Sequence, residues 1–147
     1  MRNILFGIIV IFLTFLTACS NSDDDNSGDG SSDPTTVTQS VINGGGWKVS
    51  LFTEDGVDHT SYFNDFQFLF KEHSEVTATK TTTIVTGSWS VFSDSGKTKF
   101  LLTFPDIQKF DEISEDWELL SKTSTLIKLK HVSGGNGGSD ILELIKL

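Results

Sequence analysis

Three phenylalanines at alternate positions, Phe66, Phe68 and Phe70, constrain this chain more than any other stretch. Side chains two residues apart share a face only when the backbone is extended, so these three define a strand with one aromatic face. The same period of two runs through most of the sequence after Gly46. Trp47, Val49 and Leu51 alternate with Lys48 and Ser50. Val76 and Ala78 point inward from a strand over 75–81, joined to the phenylalanine strand through Glu72-His73-Ser74. Trp89 and Val91 are in phase within 83–93, and Asp94-Ser95-Gly96-Lys97 reads as a hairpin turn leading to Phe100, Leu102 and Phe104. Pro105 stops that strand. Further strands are expected over 116–122 (Trp117, Leu119), 125–132 (Ile127, Leu129) and 141–147 (Leu142, Leu144), the last two joined by a glycine-rich loop over 133–139. Between them, 105–114 carries Ile107, Phe110 and Ile113 and predicts a short helix or an ordered loop capping one end of a sheet. Eight short strands with turn signals between them predict an all-β domain, a barrel or a sandwich. Sequential hairpins favour a small eight-stranded antiparallel up-and-down barrel over residues 46–147.

The chain opens quite differently. Met1-Arg2-Asn3 is a minimal positive region, and residues 4–16 are almost wholly apolar, which is the anatomy of a signal peptide over 1–18. The run is shorter than the roughly 18–20 residues a membrane-spanning helix needs, and an acidic tract follows it instead of a basic flank. The only cysteine, Cys19, stands where the apolar run ends. In an ordinary secreted protein a lone thiol is a liability.

Leu16-Thr17-Ala18-Cys19 resembles a bacterial lipobox, with a leucine three residues before a cysteine and small residues between. The resemblance implies cleavage before Cys19, a diacylglycerol thioether on its sulfur and an acyl group on the new amine. A thiolate is the nucleophile that accepts the lipid. Each buried methylene contributes about 0.8 kcal/mol, so several acyl chains anchor stably where one is marginal. Ser20, Asp23, Asp24 and Asp25 are similar to the surface-export signal of Bacteroidota-type lipoproteins. That implies a lipid-anchored protein of the outer membrane facing the cell surface, with a periplasm-facing anchor as the alternative. From Cys19 to Gly45 the chain is nearly all Ser, Asp, Asn, Gly and Thr; it is expected to be a disordered acidic linker, with Val41 and Ile42 able to begin the first ordered segment. As a flexible coil such a tether spans on the order of 30 Å.

Gly45-Gly46-Trp47 has the Gly-x-Trp spacing of lipocalins, and the series that follows resembles the lipocalin-like domains of Bacteroidota lipoproteins. The features that carry the resemblance are Trp47, the Asp58-His59-Thr60 turn, Phe66-x-Phe68-x-Phe70, Gly87-Ser88-Trp89, Leu119 to Ser121 after Asp116-Trp117, and Leu142-x-Leu144-x-Lys146. In lipocalins a late arginine packs across the first tryptophan. The sole arginine here is Arg2, so Lys146 is the substitute, through a cation–π contact with Trp47. The resemblance implies a barrel that binds a small apolar molecule.

An eight-stranded barrel is just wide enough to be filled by side chains or to hold one small ligand. The expected interior positions are Trp47, Phe66, Phe68, Phe70, Trp89, Phe100, Phe104 and Trp117, which would consume much of that volume. Chemistry-bearing patterns are sparse. His59, His73 and His131 lie far apart in sequence without metal-ligand spacing, and Thr53 to Asp58 is acidic but lacks the alternating ligands of a calcium loop. Ser88 and Ser90 lack a nucleophile elbow, and the glycines at 134–138 do not precede a helix. No catalytic residue, metal ligand or cofactor is expected. A net charge of −9, with no arginine after Arg2, disfavours nucleic acid and anionic surfaces. Two readings remain. One is a binding module for a small apolar molecule; the other is a non-enzymatic accessory with a filled barrel, whose loops 53–61 and 134–140 meet a protein or glycan partner.

Overall fold

The computed structural model describes residues 33–132 and 138–147; the expectations for the signal peptide, Cys19, Ser20, Asp23, Asp24, Asp25 and the glycines at 134–137 lie outside the described residues. The elements are α1 (Pro34–Asn43), β1 (Gly46–Glu54), β2 (Val57–Asp58), β3 (Gln67–Phe70), β4 (Glu75–Lys80), β5 (Thr83–Asp94), β6 (Lys97–Thr103), β7 (Asp116–Lys122), β8 (Leu126–Val132) and β9 (Ser139–Lys146). Single 3-10 turns lie at Thr60–Phe63, Glu72–Ser74 and Asp111–Ile113. Successive strands from β3 onward pair antiparallel, and β9 returns to pair with β1. That pairing closes β1 and β3–β9 into an eight-stranded up-and-down barrel, with β2 an extra short strand on the edge of β1.

Local chemistry explains the hairpins. Asp55-Gly56 and Ser95-Gly96 both have positive φ at each residue (49° and 82°, 51° and 79°). Two consecutive left-handed residues give a turn whose twist matches that of the flanking strands, and Gly at the second position makes it cheap. Alternation sets the register. In β8–β9, Ile127 sits opposite Leu144 and Leu129 opposite Leu142, all four buried.

Three details depart from the sequence expectation: the phase of β1 after Val49, the stretch before residue 45, and Lys146. Leu51 does not continue the inward series of Trp47 and Val49: the β1–β9 register shifts between Val49 and Leu51, and Phe52 is buried instead. One extra residue at a bulge reverses the phase of every side chain after it. The 105–114 segment takes the second of its two expected forms, an ordered loop with one 3-10 turn, in which Phe110 and Ile113 are buried and Ile107 is exposed.

The largest departure is α1, in a stretch expected to be linker up to residue 45. The Asp33 carboxylate accepts the Thr36 N–H at 3.0 Å, and Pro34 occupies the first turn, where its missing N–H goes unneeded. Val37 and Val41, four residues apart, share one face and are fully buried. Two valines cannot hold an isolated ten-residue helix, but they can when that face docks on an existing core. The Trp47 indole N–H donates to the Val41 carbonyl at 3.1 Å, and its ring lies so close to Gly44 that a Cβ there would meet it at 2.5 Å. Helix α1, with Val37 and Val41, therefore packs against the tryptophan that Lys146 was expected to cover. Lys146 sits opposite Trp47 in the β1–β9 ladder but is exposed, and the cation–π contacts among the described residues are Lys80 on Phe66 and Lys109 on Tyr62.

Candidate functional site

The barrel interior is the first place to look for a site. Trp47, Phe66, Phe68, Phe70, Trp89, Phe100, Phe104 and Trp117 are all buried there, together with Phe52, Phe63 and Phe110, in one continuous core with Val37 and Val41 of α1. The rings are in direct contact. Trp89 stacks on Phe100 with centroids 5.6 Å apart, Phe70 meets both edge-on at 5.1 and 5.7 Å, and Trp117 meets Phe52 edge-on at 6.5 Å. Toward the other end, Phe110 touches Phe63, Phe66, Phe68 and Phe104 at 4.9 to 5.9 Å. Tilted and edge-to-face arrangements suit the ring quadrupoles and leave little room between rings. The indole donors are satisfied as well: Trp89 Nε1 donates to the Lys71 carbonyl and Trp117 Nε1 to the Ile113 carbonyl, each at 3.1 Å. The positions expected to line a ligand cavity hold buried aromatic side chains in contact with one another.

The three histidines have different surroundings. His73 is exposed on a turn with φ of 62°, followed by Ser74 at 64°. His59 stacks on Tyr62 with centroids 5.0 Å apart and lies 3.9 Å from a Glu54 carboxylate oxygen. His131 is the one that sequence spacing failed to place. The β8–β9 register sets it opposite Asp140, with Nδ1 3.3 Å from Asp140 Oδ2, while Nε2 lies 3.6 Å from Glu115 Oε2. Asp140 is buried, and its Oδ1 accepts the Asp55 N–H at 3.0 Å. The pair therefore ties the β1–β2 turn to the β8–β9 hairpin. Both imidazole nitrogens thus face carboxylates. Among the described residues no group of three His, Cys, Asp or Glu side chains could hold a metal ion. The signal for the pair was available in sequence, because aligning Leu129 with Leu142 and Ile127 with Leu144 forces His131 opposite Asp140.

A surface cleft lies on the barrel wall. β1 pairs with β3 at two positions, Gly46 opposite Leu69 and Trp47 opposite Phe68, and regains a partner on that side only where Thr53 meets Asp58 of β2. Between these points the chain arches outward through Thr60–Phe63 to reach β3, leaving a cleft of about 600 Å³. Its floor is apolar, from Val49, Phe63 and Phe66, and its rim is polar, from Lys48, Ser50 and Gln67. The arch is held at both ends. Asp58 Oδ1 accepts the Thr60 N–H at 2.8 Å, Thr60 Oγ1 accepts the Phe52 N–H at 2.9 Å, and the Phe52 carbonyl accepts the His59 N–H at 2.8 Å. Hydrogen bonds from the Thr60 side chain and backbone hold the Asp58 carboxyl below the ordinary carboxylate range. At the far end, Lys80 Nζ donates to the Asn64 carbonyl at 2.9 Å and lies 3.4 Å from Asp65 Oδ2.

Comparison with known proteins finds no matching family, no matching curated protein and no matching solved structure.

Proposed function

We propose that this chain is a lipid-anchored protein of the bacterial cell envelope whose lipocalin-like barrel is a non-enzymatic interaction module, closed inside and recognising a partner with its outer surface. The observation that carries the reading is the interior. A carrier of a small apolar molecule needs a few hundred Å³ of enclosed space, and the positions that would line it hold contacting aromatic rings, with α1 packed against Trp47. The Leu16-Thr17-Ala18-Cys19 sequence supports the anchor, and the acidic residues after it support an outward-facing location.

The test is extraction of the full-length protein after native purification, followed by mass spectrometry of the organic phase. No apolar molecule beyond the anchor lipids is expected at one-to-one stoichiometry; a stoichiometric one would return the barrel to the carrier class. For the anchor, Cys19→Ala should abolish acylation and release the protein from the membrane fraction. A variant that stays membrane-bound and normally processed would contradict it.

A further inference from the structure

We propose that the open edge of β1 between Lys48 and Leu51 is a docking site for an extended peptide of a partner protein, added as a short strand between β1 and the 59–66 arch. The proposal rests on the interaction-module reading and assigns it a surface and a partner chemistry.

A strand presents N–H and C=O groups to both sides, and an edge without a neighbour is a template for another chain. On this side of β1 the ladder is filled by β3 at Trp47, and Phe52 is engaged by Thr60 and His59. No strand partner occupies that side from Lys48 to Leu51 among the described residues. That gap of four residues is about 13 Å of strand.

The side chains then say what kind of peptide fits. Residues pointing inward from an added strand would meet the floor of Val49, Phe63 and Phe66, and so should be apolar. Residues pointing outward would lie beside Lys48, which is exposed and makes no ion pair among the described residues. The nearby carboxylate, Asp65, already faces Lys80. A cation without an ion-pair partner favours an acidic residue at the outward position. The fitting motif is therefore apolar–acidic–apolar in an extended segment.

A random twelve-residue peptide library displayed on phage, selected on the immobilised full-length protein in detergent, tests this. Enriched peptides are then synthesised and their footprint read by amide hydrogen exchange. The expected result is enrichment of alternating apolar residues with an intervening Asp or Glu, slowed exchange over 48–51, and binding weakened at least about tenfold by Lys48→Glu. Lys48 is exposed, so circular dichroism should report an unchanged fold; Lys48→Gln gives a milder version of the same loss. Peptides that protect the 53–61 loop or another surface would overturn the site while leaving the interaction module standing. No enrichment at all would overturn the site as well, and a one-to-one apolar ligand found on extraction would remove the reading beneath it.

Discussion

The β5–β6 wall and the β1–β3 seam are made of the same kind of strand and solve closure differently. β5 and β6 pair without interruption from Ser88 opposite Thr103 to Asp94 opposite Lys97. Their inward side chains, Trp89, Phe100 and Leu102, lie in the aromatic core. β1 and β3 meet at two positions, then separate. A tight Ser95-Gly96 turn joins the first pair; in the second, the chain between Glu54 and Gln67 contains β2 and a 3-10 turn and must be stored somewhere. It is stored as an arch, with Phe63 and Phe66 turned into the core and its backbone held off the ladder. Packing can thus be complete at a place where strand pairing is not, and the unpaired edge is what remains available at the surface.

Breaking the wall should cost most. Phe100 of β6 is fully buried against Phe70 and Trp89, so Phe100→Ala should lower stability by about 3–5 kcal/mol in urea unfolding. A loss under about 1 kcal/mol would mean the interior is looser than its contacts imply. Gly87 measures how closely the wall is packed: a Cβ there would meet the Thr103 carbonyl oxygen at 2.4 Å and the Phe104 ring at 2.5 Å. Gly87→Ala should cost about 1–3 kcal/mol, whereas Ser50→Ala at the seam should stay within about 0.5 kcal/mol. Equal losses at the two sites would erase the contrast.

Smaller effects sharpen it. Asp33→Ala removes the cap of α1 and should cost about 1 kcal/mol, with Trp47 fluorescence shifting to the red as the helix frays. At the seam, the Asp58 carboxyl is held low by its bonds to Thr60, so its contribution is present above the ordinary carboxylate value of about 4 and lost as pH falls through its own lower value. The Thr60 amide resonance should track that loss with a midpoint below the ordinary value. A midpoint at or above it would mean the arch is not held as described.

Much of this architecture was legible in the residues. A period of two is a strong signal wherever one face is buried, and it located all eight staves of the barrel; the alternating aromatics it singled out are buried, while Phe52 and Phe63 joined the core outside that pattern. What it missed has identifiable physical causes. The bulge after Val49 reverses the alternation without any change in composition, so Phe52 replaced Leu51 inside. Helix α1 has only Val37 and Val41 to bury, too little to stand out from a polar tract, although Asp33-Pro34 ahead of valines four apart was a readable start signal. The His131–Asp140 pair follows from hairpin register and not from spacing along the chain. The seam is a matter of where two strands fail to pair, which no local pattern encodes.

The claim on which the rest depends is that the barrel is filled. Apolar cavities bind xenon, which makes xenon-pressurised crystals a direct probe of empty space. The account predicts no xenon among Trp47, Phe70, Trp89, Phe100 and Trp117, with any bound gas confined to the surface cleft floored by Val49, Phe63 and Phe66. A well-occupied xenon site inside the barrel would contradict it and restore an enclosed ligand as the simplest function.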